Sequence, residues 1–310
     1  MKLYFVALIL LLAVAVPTVA APIASSARTA IPEDVQQIIS VDYRTLKNSD
    51  TALALKQRVL PQTLKDFESG LKGMGIDTDR DLDQLTFISF RTKAGLRSVG
   101  IAQGAFSAKE LIAKMRVRKV KPVKYRLSAI YPSGAGMQMS FLDDNTMLFG
   151  ETTALKAALD SRDGESPSLN SNSQISDSMQ SVETGPVWSV LDQVGTQNMM
   201  RSALGDASKL ADYDVIKKRL LGSQYTMDFA RGVNFDLDVV TSDSMTAATL
   251  SSLVKAGMIY RKMGATTVEK SALESMSVNS QSAKLQLHFK SDDQKFRSLL
   301  SSDLFAAVSR

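Results

Sequence analysis

Side chains able to do covalent or metal chemistry are scarce in this sequence. Its 310 residues hold one histidine and no cysteine, which removes His-containing triads, thiol nucleophiles, thiolate-held redox metals and the usual zinc sites with several His or Cys. The histidine, His288, sits in an alternating stretch: Leu285, Leu287 and Phe289 share one side, Lys284, Gln286, His288 and Lys290 the other. That alternation assigns it to the solvent side of a strand. Asp77, Asp79, Asp81 and Asp83 imitate the opening of a calcium loop, but Leu82 stands where such a loop turns on glycine and Ile88 where it closes on a carboxylate. We read these acids as caps of a short turn ahead of a strand. A glycosidase needs two acids across a cleft. Asp143-Asp144 reads instead as a hairpin turn, and Asp236 and Asp238 share the outward side of a strand. Gly70, Gly73 and Gly75 follow a helix, and Gly134 and Gly136 join two strands, whereas a phosphate cradle needs the order strand, glycine loop, helix. No catalytic, metal-ligating or cofactor-binding residue is assigned.

The distinctive feature is a basic stretch. Lys114, Arg116, Arg118, Lys119, Lys121, Lys124 and Arg126 fall within 13 residues that contain no acid. The whole chain has a net charge of only +5, so without these seven cations the balance would be negative. Such a patch attracts polyanions, and in an exported protein the candidates are phospholipid headgroups, acidic envelope polysaccharide and extracellular DNA. The competing explanation is a solvated connector whose lysines block edge-to-edge strand pairing. Only Tyr125 and Tyr131 interleave with or follow the cations, too few aromatics for sequence-specific nucleic-acid recognition. Met137, Met139 and Met147 on one hairpin face, and Trp188, read as core.

The N-terminus reads as an export signal. Met1-Lys2 precedes an uninterrupted apolar run from Leu3 to Val16, then Pro17 and the small residues Thr18-Val19-Ala20. Cleavage is expected between Ala20 and Ala21. The run is short for a spanning helix, which needs about 20 apolar residues, and no other stretch approaches that length. The protein is therefore expected to be exported, periplasmic or extracellular, with no transmembrane span in the mature chain.

The elements that must position these residues follow from periodicity. Residues 21–30, small and polar, read as a flexible lead-in. Strands are expected over 36–43, 84–91, 96–103, 123–131, 137–141 and 146–149, with helices over 50–71 (broken at Pro61), 107–115 and 152–159. Within 123–131, Val123, Tyr125, Leu127 and Ala129 alternate onto one face. The segment 161–185, rich in serine, reads as a linker with one short helix carrying Ile175, Met179 and Val182. Beyond it come a strand at 187–191, helix over most of 196–221, a hairpin of 224–231 and 233–240, a helix over 245–263, strands at 273–278 and 283–290, and a last helix opened by Ser291 and Gln294. Gln84-Leu-Thr-Phe matches Gln224-Tyr-Thr-Met, and Phe149 matches Phe289, at an offset of about 140. In the helices that follow, Leu155-Lys156 and Leu159 match Phe296-Arg297 and Leu300 one residue later.

These patterns predict an α+β fold of two similar lobes, 31–160 and 186–310, each an antiparallel sheet with helices packed on one face. The motifs Gly75-Ile76-Asp77, Asp81-Leu82-Asp83, Phe141-Leu142-Asp143-Asp144-x-Thr146 and Gly150 leading to Ala154-Leu155-Lys156-x-x-Leu159-Asp160 resemble those of a broad group of exported bacterial proteins of unknown function. That resemblance implies a signal peptide and a duplicated α+β body and brings no activity. The expected function is non-catalytic binding or scaffolding at the envelope, with the basic stretch contacting an anionic envelope lipid or polysaccharide. The alternatives are a carboxylate-dependent hydrolase in a cleft between the lobes and a carrier whose Met-lined sheet encloses an apolar ligand.

Overall fold

The computed structural model describes residues 22–59, 62–73, 75–134, 136–205, 213–302 and 305. The export signal and its cleavage site at Ala20 and Ala21 lie outside the described residues.

In chain order the first half runs α1 (Ser25–Thr29), β1 (Val35–Asp42), α2 (Tyr43–Leu46), α3 (Asp50–Val59), α4 (Gln62–Gly73), α5 (Thr78–Asp81), β2 (Leu82–Thr92), β3 (Gly95–Gly104), α6 (Ala108–Val117), β4 (Val123–Tyr125), β5 (Ser128–Gly134), β6 (Met137–Phe141), β7 (Thr146–Gly150) and α7 (Thr152–Arg162). A 3-10 turn (Leu169–Ser171) and α8 (Ser173–Gln180) lead to the second half. That half comprises β8 (Val187–Leu191), α9 (Gln193–Leu204), α10 (Tyr213–Lys217), β9 (Leu220–Asp228), β10 (Val233–Thr241), α11 (Ser244–Gly264), α12 (Thr267–Glu274), β11 (Met276–Gln281), β12 (Lys284–Ser291) and α13 (Asp293–Leu299). Among the described residues, twelve strands form one antiparallel sheet in the order β11-β12-β10-β9-β8-β1-β2-β3-β7-β6-β5-β4. The fold is α+β.

Read outward from the middle, the same order is traced twice: β1-β2-β3-β7-β6 on one side and β8-β9-β10-β12-β11 on the other. The halves meet where β1 pairs antiparallel with β8, Ile38 opposite Val190 and Val41 opposite Val187. The two edge strands thus satisfy one another instead of facing water.

In-register partners share a sheet face, so the two faces can be followed across the molecule. The front carries Leu85, Ala102, Met147, Phe149 and Met139 under α4 and α6, then Leu237, Val239 and Leu285 under α9, α10 and α11. Near the middle of the front, α3 of the first half packs with α13 of the second, around Ala52, Phe289, Phe296 and Leu299. The back carries Ile38, Ile88, Phe90, Val99, Ile101, Leu148, Trp188 and Val190 under α1, α7 and α8. Strand β2, apolar on both sides, is therefore covered on both. Met139, Met147 and Trp188 are core, as their spacing indicated.

Helices lie on one face in the second half, as expected, but on both in the first. The cause is a single residue. Phe149 and Phe289 both point to the front, yet α7 follows Gly150 and Glu151, whereas α13 follows Lys290, Ser291 and Asp292. One extra residue is half the two-residue repeat of a strand, which reverses the side of exit. Helix α7 goes to the back and α13 to the front, and among the described residues the back of the second half beyond α8 is left without a helix. Its residues are correspondingly polar: Gln224, Thr226, Asn234, Asp236, Asp238, Gln286 and His288.

Several local expectations are corrected. The lead-in is helical and packed, with Ile23, Ala27, Ala30 and Ile31 buried. Small side chains there permit close approach rather than flexibility. The serine-rich linker is likewise stitched down: Leu169 N–H donates to the Ile31 carbonyl (2.8 Å), Asn172 to that of Glu33 (3.0 Å), and Arg28 pairs with Glu183. Its Leu169, Ile175, Met179 and Val182 are buried. Residues 267–274 are helical where a strand was expected from 273, because Thr266 and Glu269 form a reciprocal capping box. Helix α13 is capped by Asp292, not Ser291.

Gly100 faces Phe149 across the β3–β7 pair, and a Cβ there would lie 2.1 Å from the ring. That ring also packs edge-on against Phe87. Gly100→Ala is expected to cost about 1–3 kcal/mol by overpacking, measured by urea denaturation. An unchanged midpoint would show that the ring moves aside freely.

Candidate anion-contacting segment

The basic stretch spans the end of α6, a loop, β4 and the turn into β5. Ser107 starts α6 by accepting from the Glu110 N–H (3.5 Å). Leu111 and Met115 bury its inner side. The helix ends in a Schellman arrangement: the Val120 N–H reaches the Met115 carbonyl (3.0 Å) and the Lys119 N–H that of Arg116 (3.0 Å), with Val120 and Met115 in the same apolar cluster. Lys119 takes the left-handed position, φ 59°, where glycine is favoured.

The expected strand 123–131 is broken. Tyr125 pairs with Ser128, which leaves Arg126-Leu127 as a two-residue hairpin turn, Arg126 at φ 50°. The reversal ends the alternation that aligned Leu127 with Val123 and Tyr125, and Leu127 stands 91% exposed at the tip. The turn is held from α7: Asp160 accepts from the Tyr125 hydroxyl (2.8 Å) and the Arg126 Nε (2.6 Å), and Glu165 pairs with Arg126 (2.8 Å). The bond to Asp160 raises the Arg126 guanidinium above its ordinary range, while burial, then the same carboxylate, raises the Tyr125 phenol.

The seven cations therefore divide. Arg126 is an anchor of the hairpin. Lys114, though exposed, reaches toward Gly75, its amino group 3.1 Å from where a Cβ there would lie. Its charge helps keep the Asp81 carboxyl low, after the hydrogen bond from Arg80. Arg116, Arg118, Lys119, Lys121 and Lys124 are exposed and form no ion pair with a described residue. Among them stand Val117, 83% exposed, Val123 and Leu127. Sequence alternation hid this mixture by setting Val123 and Leu127 on one face of a continuous strand, apart from the cations.

Among the described residues, three non-glycine residues have positive φ: Lys119, Arg126 and Ser282. Two of them are cations of this segment. Each turn keeps a charged side chain where a glycine would relax the backbone.

The acids play structural parts. Asp77 caps α5 by accepting from the Asp79 N–H (3.1 Å), and Asp81 accepts from the Asp77 N–H (2.8 Å), in line with the turn-capping expectation. Asp143 accepts from Ser26 (2.6 Å) and from the Asn145 N–H (2.9 Å). Near the seam, Asp192 caps α9 and pairs with Arg91 (2.6 Å). On the bare back face His288 Nδ1 lies 2.6 Å from Asp236 Oδ1. The pair lines an open groove of about 460 Å³ together with Thr226, Asn234 and Thr184.

No family model and no curated protein matches the chain. Solved structures of TP0453 in crystal forms I and III are similar at 7% identity and a TM-score of 0.47, covering 92% and 89% of this chain and 98% of that one. Form IV gives 8% and 0.46. A likeness of this size carries no functional information.

If Lys119 is held in a strained turn, Lys119→Gly should raise folding stability by roughly 0.5–1 kcal/mol, read from the urea midpoint. A midpoint that stays put or falls would mean that the turn bears no strain.

Proposed function

We propose that the protein is an exported, non-catalytic envelope protein, its body two copies of one unit, that binds an anionic phospholipid surface through residues 114–127. The observation that carries this reading is the interleaving of exposed Val117, Val123 and Leu127 with five unpaired cations. A polysaccharide or nucleic acid would be served by the cations alone and gains little from apolar tips. A bilayer uses both: the cations meet phosphate headgroups, and the apolar side chains enter the acyl boundary. The left-handed cations add support, because they cost stability at positions where charge is retained. Anchoring through Asp160 gives the hairpin a fixed attitude, so that fewer side chains must be ordered on contact.

The test is co-sedimentation of protein beginning at Ala21, which keeps every described element, with phosphatidylglycerol-containing and pure phosphatidylcholine vesicles over a salt series. Binding should require the anionic lipid and weaken as salt rises. At about 1 kcal/mol per surface cation, replacing Arg116, Arg118, Lys119 and Lys121 by Ser should reduce affinity by about 1,000-fold. Binding that ignores both the salt and the four substitutions would end the proposal.

A further inference from the structure

Helix α11 ends in a second surface of the same chemistry. Ile259, Tyr260 and Met263 are 66%, 62% and 80% exposed, three large apolar side chains within five consecutive positions. Ile259 and Met263 lie one turn apart on the same stripe. The opposite side of the helix is spent on the core through Leu250, Leu253 and Gly257. Lys255, Arg261 and Lys262 accompany the exposed residues, and no acid occurs from 244 to 264. Lys262 pairs with Glu274 of α12 at 3.6 Å.

The position is not arbitrary in the fold. Helix α11 follows β10 as α6 follows β3, and both pack on the front of the sheet, α6 through Leu111 and Met115 and α11 through Leu250 and Leu253. Their exposed ends belong to opposite halves of one twelve-stranded sheet.

We propose that the C-terminal end of α11 is a second site of contact with an anionic phospholipid bilayer. This deepens the function proposed above and rests on it. Lipid fits better than a second copy of the chain. A symmetric dimer built on this patch would bring its own cations face to face with no acid of the helix to offset them. At a bilayer the same cations reach outward to headgroups, Tyr260 takes the interfacial position favoured by amphipathic rings, and Ile259 and Met263 enter the apolar region.

The test compares wild-type protein beginning at Ala21 with the Ile259→Ser, Tyr260→Ser, Met263→Ser variant. The probe is vesicles of phosphatidylglycerol and phosphatidylcholine, and sedimentation velocity is run on both proteins without lipid. All three positions are exposed, so urea midpoints should agree; Met263→Ser alone serves if the triple variant does not fold. Affinity should fall about tenfold or more from lost apolar burial, with a salt dependence close to wild type, because the cations remain. Joined to the four substitutions in 114–126, it should abolish residual binding. Equal binding by the variant and the wild type would overturn this inference alone. A wild-type dimer that the variant breaks would also overturn it, in favour of self-association. Wild-type protein that ignores the vesicles would overturn the parent reading as well.

Discussion

Two strands that would otherwise be edges carry the architecture. Strands β1 and β8 pair over five positions, from Gln37 opposite Leu191 to Val41 opposite Val187. Each has its other side hydrogen-bonded within its own half, β1 to β2 and β8 to β9. A half standing alone would expose a flat row of unpaired amides with Ile38 or Val190 beside it, the kind of edge that invites aggregation. Pairing removes both edges at once. It also brings Trp188 and Val190 of the second half beneath α8 and next to Ile38 and Ile88 of the first, so one apolar cluster straddles the seam. On the front, α3 and α13 do the same from the other side. The sheet is a single platform with helices pinned across its join.

What the platform presents follows from small sequence differences between its halves. One extra residue before α13 sends that helix to the front, so the back of the second half carries Asp236, Asp238 and His288 where the first half carries Val99, Ile101 and Leu148. Between β3 and β6 the first half builds a short α6, β4 and β5 from about as much chain as the second half spends on the long α11 and α12. Those two strands project the basic hairpin, and Asp160 ties it down. Function, in this reading, sits where the two halves depart from one another or end freely, while the shared strand order supplies rigidity.

Much of this was legible in the sequence because it is local. The two-sided apolarity of β2 announced a central strand, and alternation put His288 and Asp236 on the polar side. Features that depend on distant partners were not legible. Ala27 and Ala30 read as flexible because small residues suit both loops and tight packing, and only distant partners such as Leu169, buried in the same cluster, decide the matter. The Ser-rich run after α7 hid its packing for the same reason. The turn at Arg126-Leu127 lacks glycine, so nothing local signalled a reversal. Leu127 was placed on one face of a continuous strand with Val123 and Tyr125, although its exposure at a turn is central to the proposed lipid contact. The pairing of β1 with β8 left no trace in either strand, since any two apolar strands can pair.

Amide hydrogen exchange followed by mass spectrometry tests the single-platform description most directly. If the seam is part of one cooperative unit, amides of residues 38–41 and 188–190 will exchange only through global opening, at the same slow rates as those at the centres of β2 and β9. Seam amides that exchange much faster than those of β2 and β9 would mean that the halves part from one another while each stays folded, and the description would be wrong.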